Sequence, residues 1–281
     1  MRILRVLPPL VIGKRIDTAG IPSRHHAVRF AARLVLILVV CSWMFLYLDS
    51  VHQRRKAESL VAELKSFNFA TAGFRDVRDL AIRNGGAALQ RNTLPKLPDF
   101  GTPVPDARGN AGFRRPGPFC NMQDCTFEIW ITTRLVRLPL RDRTAELFYS
   151  ALPYLGVRSW LLYARFEVRN DRLESSSTTV EEIRFDRLGS YEGLVPFGYQ
   201  VMTTTDATYF DPNQDYKVFL DHPVKLPENV LSAHVLRTSA LTKRAFDMNL
   251  HCLNGLFRGC RFNEIAPSAW ADYSATAGTG R

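Results

Sequence analysis

The stretch LVLILVVCSWMFLYL, Leu34 to Leu48, decides how the rest of the chain is organised. It contains no charged residue, and an α-helix of its length rises about 22 Å, against about 30 Å for the hydrocarbon core of a bilayer. Residues 30–33 lengthen it to about 28 Å if Arg33 extends its charged end to the headgroups. The pattern therefore predicts one transmembrane helix over residues 30–48. Its anchoring side chains are Leu34, Val35, Leu36, Ile37, Leu38, Val39, Val40 and Phe45, with Trp43 and Tyr47 as interfacial aromatics.

Three other interpretations of this stretch fit less well. A cleaved signal peptide needs a small-x-small site after its apolar core, but Asp49-Ser50-Val51-His52 follows here. A lipoprotein signal is disfavoured because Val40 is bulky just before Cys41. A buried helix of a soluble domain is disfavoured by the basic residues that precede the stretch. We therefore expect an uncleaved anchor.

Basic residues on the N-terminal side of the anchor indicate its orientation. The chain has a net charge of +10, and more than half of this excess precedes Leu34. Lys and Arg favour the cytoplasmic side of a membrane, and those nearest the anchor are Lys14, Arg15, Arg24, Arg29 and Arg33. The segment after the anchor is nearly as basic, so this bias is small. It predicts a cytoplasmic tail over residues 1–29 and an inner-membrane span, with the C-terminal domain in the periplasm.

The cysteines favour the same orientation. Four of the five cysteines follow the anchor in two close pairs, Cys120 with Cys125 and Cys252 with Cys260. Even, paired cysteines are typical of an oxidising compartment, where they form disulfides. Zinc is disfavoured because structural sites use shorter Cys spacings than the second pair has, and a redox dithiol because C-x-x-C is absent. Four cysteines allow three connectivities, among which local pairing is preferred.

The remainder predicts an α+β fold, in which an antiparallel sheet is packed with helices. Residues 49–90 carry two helical stripes that end at Asn84-Gly85-Gly86, which predicts a juxtamembrane helical hairpin. Residues 91–119 are predicted to form a Pro/Gly-rich loop with a mild positive charge. Within residues 120–270, apolar and polar residues alternate in several segments, which predicts strands. A hairpin turn is predicted at Asn170-Asp171 and a helix after Ser239. Residues 271–281 are predicted to be a disordered tail.

No motif for catalysis, a metal or a cofactor emerges. Asp211–Tyr216 begins like a calcium loop but lacks its sixth-position glycine and twelfth-position glutamate, so a turn is the preferred interpretation. Glu181 and Glu182 are adjacent on a predicted strand and point to opposite faces, so they cannot act as a pair. His234 lies within a strand, where a structural role is favoured over a catalytic one.

The order of basic tail, anchor, AELKSFNFATAGFRDVRDLAIRNGG, a cysteine pair, VRNDRLESSSTTVEEI and HCLNGLFRGCRFNEIAPSAW resembles a set of uncharacterised single-pass bacterial envelope proteins of the acidobacterial type. The resemblance covers the layout of residues 30–270 and implies an extracytoplasmic α+β domain without an assigned activity. More faintly, Thr71–Gly86 and the strands after it are similar to the helix-helix-sheet region of small outer-membrane-assembly lipoproteins, whose lipidated cysteine is absent here.

We therefore expect a membrane-anchored envelope protein that binds or organises rather than catalyses. Its expected partners are the lipid bilayer and an envelope protein or glycan. Nucleic acid is not expected, because no basic patch is interleaved with aromatic residues. The alternatives are an extracytoplasmic enzyme whose site the sequence does not display, and a signalling anchor that acts through its short cytoplasmic tail.

Overall fold

A computed structural model describes residues 24–89, 124–134, 152–184, 194–212, 214–221, 230–254 and 259–278. The chain divides into two units, Met1–Trp43 and Met44–Arg281. The predicted loop over residues 91–119 and the predicted tail up to residue 23 lie outside the described residues.

The first helix, α1, runs without interruption over Arg24–Ser66, a span that contains neither glycine nor proline. In its first part the side chains of Leu34–Val40 are between 48% and 63% exposed. The most apolar part of this helix is almost entirely exposed. Among the described residues, α1 is therefore a helix long and apolar enough to cross a membrane, as the sequence predicts.

In the unit Met44–Arg281, the later turns of α1 carry a buried stripe formed by Ala57, Leu60, Val61 and Leu64. These spacings place the four side chains on one face of the helix. The first helix of the predicted hairpin is thus a continuation of α1, because no residue between Asp49 and Ser66 breaks the helical backbone.

The C-terminal end of the predicted transmembrane span packs within the folded unit Met44–Arg281. Leu46 and Ser50 are buried. Asp49 pairs with Arg134 at 3.2 Å, and the Arg134 guanidinium lies 5.1 Å from the centre of the Phe45 ring. The last turn of the predicted span, residues 45–48, therefore includes positions packed into the folded unit.

A second helix and seven strands follow. Helix α2 covers Phe74–Arg83, and the strands are β1 (Ala87–Leu89), β2 (Asp124–Thr132), β3 (Trp160–Arg169), β4 (Arg172–Arg184), β5 (Leu194–Thr204), β6 (Tyr216–Asp221) and β7 (Val230–Leu236). Short 3-10 turns occur at Leu152–Leu155 and Ala207–Tyr209. The strands form one sheet in the order β1-β2-β3-β4-β5-β7-β6. The predicted α+β class is confirmed.

The sheet is mixed, which corrects the prediction of a wholly antiparallel one. Strand β7 pairs with β5 in parallel and with β6 in antiparallel fashion. The sequence does not predict β6, since the stretch before it was interpreted only as a turn. With β6 inserted, the chain reverses once more after β5, forms the outer edge, and returns as β7 between β6 and β5. The additional reversal makes β5 and β7 parallel.

The predicted hairpin turn is confirmed. Asn170 and Asp171 have φ angles of 50° and 59° and join β3 to β4. Two consecutive residues with positive φ form the turn whose twist matches that of a hairpin. The Asp171 carboxylate also accepts a hydrogen bond of 3.1 Å from the backbone N–H of Phe74, the first residue of α2.

The C-terminal segment folds as short helices: α3 (Thr242–Ala245), a 3-10 turn (Leu250–Asn254), α4 (Phe262–Ile265) and α5 (Pro267–Gly278). The helix predicted after Ser239 is therefore broken at Phe246. The predicted disordered tail is helical as far as Gly278, which is a correction. Pro267 favours a helix start, and Arg244 holds Asp272 through contacts of 2.8 and 2.6 Å.

A single hydrophobic cluster joins one face of the sheet to these helices. On that face Ile129, Leu162, Val180 and Leu231 are buried in neighbouring strands. Phe69 stacks on Phe246 at 5.5 Å between ring centroids. We call this side of the sheet the packed face.

Candidate functional site

The other side of the sheet carries aromatic, hydroxyl, amide and charged side chains. The strand pairing aligns one row of residues across β2, β3, β4 and β5, and a second row beside it. We call the following set the polar face: Glu128, Trp130, Tyr163, Arg165, Ser177, Thr179 and Gln200. Side chains alternate between faces along a strand, so these residues lie on the side opposite the packed face; Glu128 and Thr179 are buried and the others are half-buried.

An aromatic pair lies at the β2 end of the polar face. Trp130 and Tyr163 are directly opposite each other on β2 and β3, with ring centroids 4.2 Å apart and planes tilted by 42°. Glu128 holds both rings, because it accepts hydrogen bonds from the Tyr163 hydroxyl at 2.7 Å and from Trp130 Nε1 at 3.4 Å. Both rings are half-buried. The pair is therefore fixed in position with part of its surface accessible.

The charged groups around this pair are the two glutamates Glu128 and Glu167 and the arginine Arg165, so acidic groups outnumber basic ones. Arg165 Nη2 lies 2.8 Å from Glu167 Oε1 on the same strand. Burial raises the pKa of the Tyr163 hydroxyl well above its usual value, and the Glu128 charge and hydrogen bond raise it further. Tyr163 therefore stays protonated and donates to Glu128. The aromatic pair is therefore surrounded by hydrogen-bonding groups without an excess of positive charge.

Hydroxyl and amide groups continue the face toward β5. The stretch ESSSTT in β4 alternates between faces, so that Ser177 and Thr179 lie on the polar face while Ser176 and Thr178 are buried on the packed side. Gln200 Nε2 donates a 3.0 Å hydrogen bond to Ser177 Oγ. This hydrogen bond fixes the orientation of the half-buried Gln200 side chain, including its amide oxygen.

The adjacent glutamates of β4 have different environments, as the sequence predicts. Glu182 is buried and forms a 3.1 Å ion pair with Arg158, which is also buried. Glu181 lies on the opposite side, beside Leu161 and Gly198 in the register, and is half-buried. Burial raises the pKa of Glu181 to about 7. The two carboxylates do not form a catalytic pair.

The predicted pairing of Cys252 with Cys260 is confirmed, since their sulfur atoms are 2.07 Å apart. Cys125 is buried in β2 and is also disulfide-bonded, while Cys120 lies outside the described residues. Next to Cys260, Gly259 packs on the buried ion pair so closely that a Cβ there would lie 2.8 Å from Glu182 Oε2. The Cys252–Cys260 disulfide therefore lies next to the Arg158–Glu182 ion pair.

Other residues singled out from the sequence have structural environments. His234 packs edge-on against Phe219 at 4.8 Å, and its pKa is lowered by burial and by Lys217. Asp211 accepts a turn hydrogen bond of 2.9 Å from Gln214. Within the described ranges no three His, Cys, Asp or Glu residues are grouped closely enough to hold a metal.

A concavity of about 290 Å³ lies where α1 ends and α2 begins. Its charged groups are already engaged. Glu63 pairs with Arg83 at 3.3 Å, and Asp76 accepts a 2.9 Å hydrogen bond from the backbone N–H of Gly73. These contacts cap and join the helices, so this concavity is a weaker candidate than the polar face.

The remaining predicted site residues belong to the N-terminal region. The anchoring residues lie within α1, as do Arg24, Arg29 and Arg33. The side chains of Arg29 and Arg33 are exposed. Lys14 and Arg15 lie outside the described residues.

The sequence partly signals the polar face. Alternation in β2 places Glu128 and Trp130 away from the core, but their partner Tyr163 follows only from the pairing of β2 with β3. A comparison of the chain with protein-family models, with curated proteins and with solved structures found no match.

Proposed function

We propose that the chain is a single-pass inner-membrane protein whose folded unit is a periplasmic binding module. The exposed apolar residues Leu34–Val40 support the anchor, and the basic residues before them support a cytoplasmic tail. The disulfide between Cys252 and Cys260 supports an oxidising compartment for the folded unit.

The binding surface in this proposal is the polar face, and its ligand is a neutral, polyhydroxylated glycan. The observation that carries the proposal is the fixed Trp130–Tyr163 pair beside the Ser177–Gln200 hydrogen bond. Amphipathic aromatic rings supply apolar contact area at little cost in conformational entropy, and nearby polar groups orient a ligand.

The charge distribution favours this ligand class over an anionic one. Arg165 is already paired with Glu167, and Glu128 is held by Tyr163. A lipid headgroup or nucleic acid would need uncompensated basic side chains, which bind phosphate as charged partners. A sugar needs only hydrogen-bond donors and acceptors around an apolar patch, which this face provides.

Binding of soluble glycan fragments from the bacterial cell envelope to the full chain in detergent tests the proposal. Trp130→Ala and Gln200→Ala should each weaken binding about tenfold or more, because each removes one of the two contact types. Tyr154→Ala is the matched control, since Tyr154 is an aromatic residue that is 61% exposed on a 3-10 turn and is not one of the polar-face residues. Equal affinity for all four proteins, or no binding by the wild type, would refute the glycan assignment.

Topology has a separate test. A reporter active only outside the cytoplasm, fused after residue 281, should be active, and the same reporter fused near residue 20 should be inactive. Reversed activities would overturn the orientation without affecting the ligand assignment.

A second candidate function is acid–base catalysis at Glu181. Its pKa near 7 is suited to proton transfer at neutral pH. If the glycan is cleaved rather than merely bound, Glu181→Gln should abolish turnover and leave affinity unchanged. Glycan recovered intact after prolonged incubation with the wild type excludes this alternative.

A further inference from the structure

The two edges of the sheet differ in their ability to pair with another strand. Strand β1 is three residues long, and very short edge strands resist further pairing. At the opposite edge, β6 has six residues and pairs only with β7 among the described strands. An edge strand presents unpaired backbone N–H and C=O groups on its outer side. Among the strands that the structure describes, the outer side of β6 is therefore the longer unpaired edge.

The side chains of β6 combine an apolar centre with opposite charges at its flanks. Val218, Phe219 and Leu220 are half-buried, while Lys217 and Asp221 are exposed on either side of them. Lys217, Phe219 and Asp221 share one face of the sheet, because side chains alternate along a strand. Because Lys217 and Asp221 lie two residues on either side of Phe219, each would face the opposite charge if a second copy of the strand paired with this one in the antiparallel direction, centred on Phe219.

Symmetry restricts how two copies of this strand can pair. In an antiparallel pair, residues directly opposite each other lie on the same face. A two-fold axis perpendicular to the sheet preserves the faces, so paired residues must differ by an even number. The axis must therefore pass beside a single residue, which pairs with its own copy.

The charges of Lys217 and Asp221 favour one of the registers in which the axis passes beside a single residue. An axis at Phe219 pairs Lys217 with Asp221 of the second copy twice, and Val218 with Leu220 twice. An axis at Val218 instead brings Asp215 opposite Asp221, which are like charges. An axis at Leu220 places Phe219 opposite Asp221. Opposite charges in cross-strand pairs stabilise a sheet and like charges destabilise it.

We propose that two copies of this chain associate edge to edge through β6, antiparallel, in the register centred on Phe219. The pairing joins two seven-stranded sheets into one continuous sheet and occupies the longer edge of each. It is independent of the proposed glycan binding, whose residues lie on β2 to β5.

Charge reversal tests the association through its register. The full chain in detergent should be a dimer by light scattering at micromolar concentration. Lys217→Asp and Asp221→Lys should each weaken the dimer about tenfold, because each places like charges opposite each other twice. The double variant Lys217→Asp with Asp221→Lys should restore it, since each pair regains opposite charges. All four proteins should have the same circular dichroism spectrum, because both positions are exposed.

Three outcomes overturn the proposal: a monomeric wild type, a dimer that either single reversal leaves intact, or a double variant no better than the singles. Cysteine cross-linking then fixes the register in a Cys41→Ser background, which removes the exposed free thiol. Phe219→Cys should form an intermolecular disulfide, because the two copies of that residue are directly opposite. Lys217→Cys should not, since its two copies are about 14 Å apart in this register. Cross-linking of the second variant but not the first also overturns the proposal.

Discussion

The two faces of the sheet use the same strands for different purposes. On the packed face, Phe166 and Leu162 are completely buried against the helices. One residue away along β3, Tyr163 is half-buried and its hydroxyl is committed to Glu128. The packed face gains stability from the removal of apolar surface from water, whereas the polar face gains fixed geometry from hydrogen bonds. The difference teaches that neighbouring residues of one strand can belong to the core and to the proposed binding surface, respectively.

The largest expected effect comes from opening a cavity on the packed face. Phe166→Ala should lower the free energy of unfolding by about 4 kcal/mol, because it removes a fully buried ring. Trp130→Ala on the polar face should cost less than half as much, since Trp130 is only half-buried. Urea denaturation of both variants measures the difference. Equal losses would mean that the polar face is a second core rather than the proposed binding surface.

The next effect concerns the ion pair behind the sheet. Arg158→Met should lower the free energy of unfolding by about 3 kcal/mol, because Glu182 is left buried without its charged partner. Glu182→Leu in the same chain should recover much of that loss, since it removes the uncompensated charge. Thermal unfolding of the single and double variants checks this. If the single variant matches the wild type, solvent reaches the pair and the two faces differ less than their burial implies.

A smaller effect is expected from the disulfide bordering that pair. Replacing Cys252 and Cys260 together by serine should cost about 2.5 kcal/mol, since the unfolded chain regains the freedom of a short loop. Guanidinium denaturation measures the cost. Glycan affinity at the polar face should be unchanged, and a parallel loss of affinity would show that the two faces are coupled.

A separate effect is a pH dependence of stability caused by Glu181. Its pKa in the folded chain is raised to about 7 from an ordinary value of 4.5, so the folded state binds the proton more tightly than the unfolded state. The contribution of this group to the free energy of unfolding is most favourable below pH 4.5. It decreases as the pH rises from 4.5 to 7 and does not change further above pH 7. Glu181→Gln should therefore raise the melting temperature at pH 8 but not at pH 4. An identical difference at both pH values would contradict the burial of this carboxyl group.

The sequence predicts those features whose signals are local. Alternation identifies β2 and β3, and Asn170-Asp171 identifies the turn that follows, because positive φ angles suit these residue types. Strand β6 is missed since its apolar residues are consecutive and follow a strong turn signal. The helix after the anchor is predicted by its apolar stripe, and it continues α1 because Asp49 ends the apolar stretch without ending the helix.

The polar face is only half visible in the sequence. Trp130 and Glu128 are assigned to the outer side by their period of two. Their contact with Tyr163 depends on the register between β2 and β3, which long-range packing sets. The raised pKa of Glu181 likewise depends on neighbours brought together by tertiary structure.

The hydrogen bond from Phe74 to Asp171 has a consequence for the order of folding. Helix α2 has ten residues, and an isolated helix of that length is only marginally stable in water. Its N-cap residue, Gly73, has no side chain with which to cap it, so a carboxylate 97 positions away supplies the acceptor for Phe74. That acceptor is in place only once the turn between β3 and β4 has closed. We therefore expect α2 to gain its full stability only once that hairpin, which is synthesised after the helix, has formed.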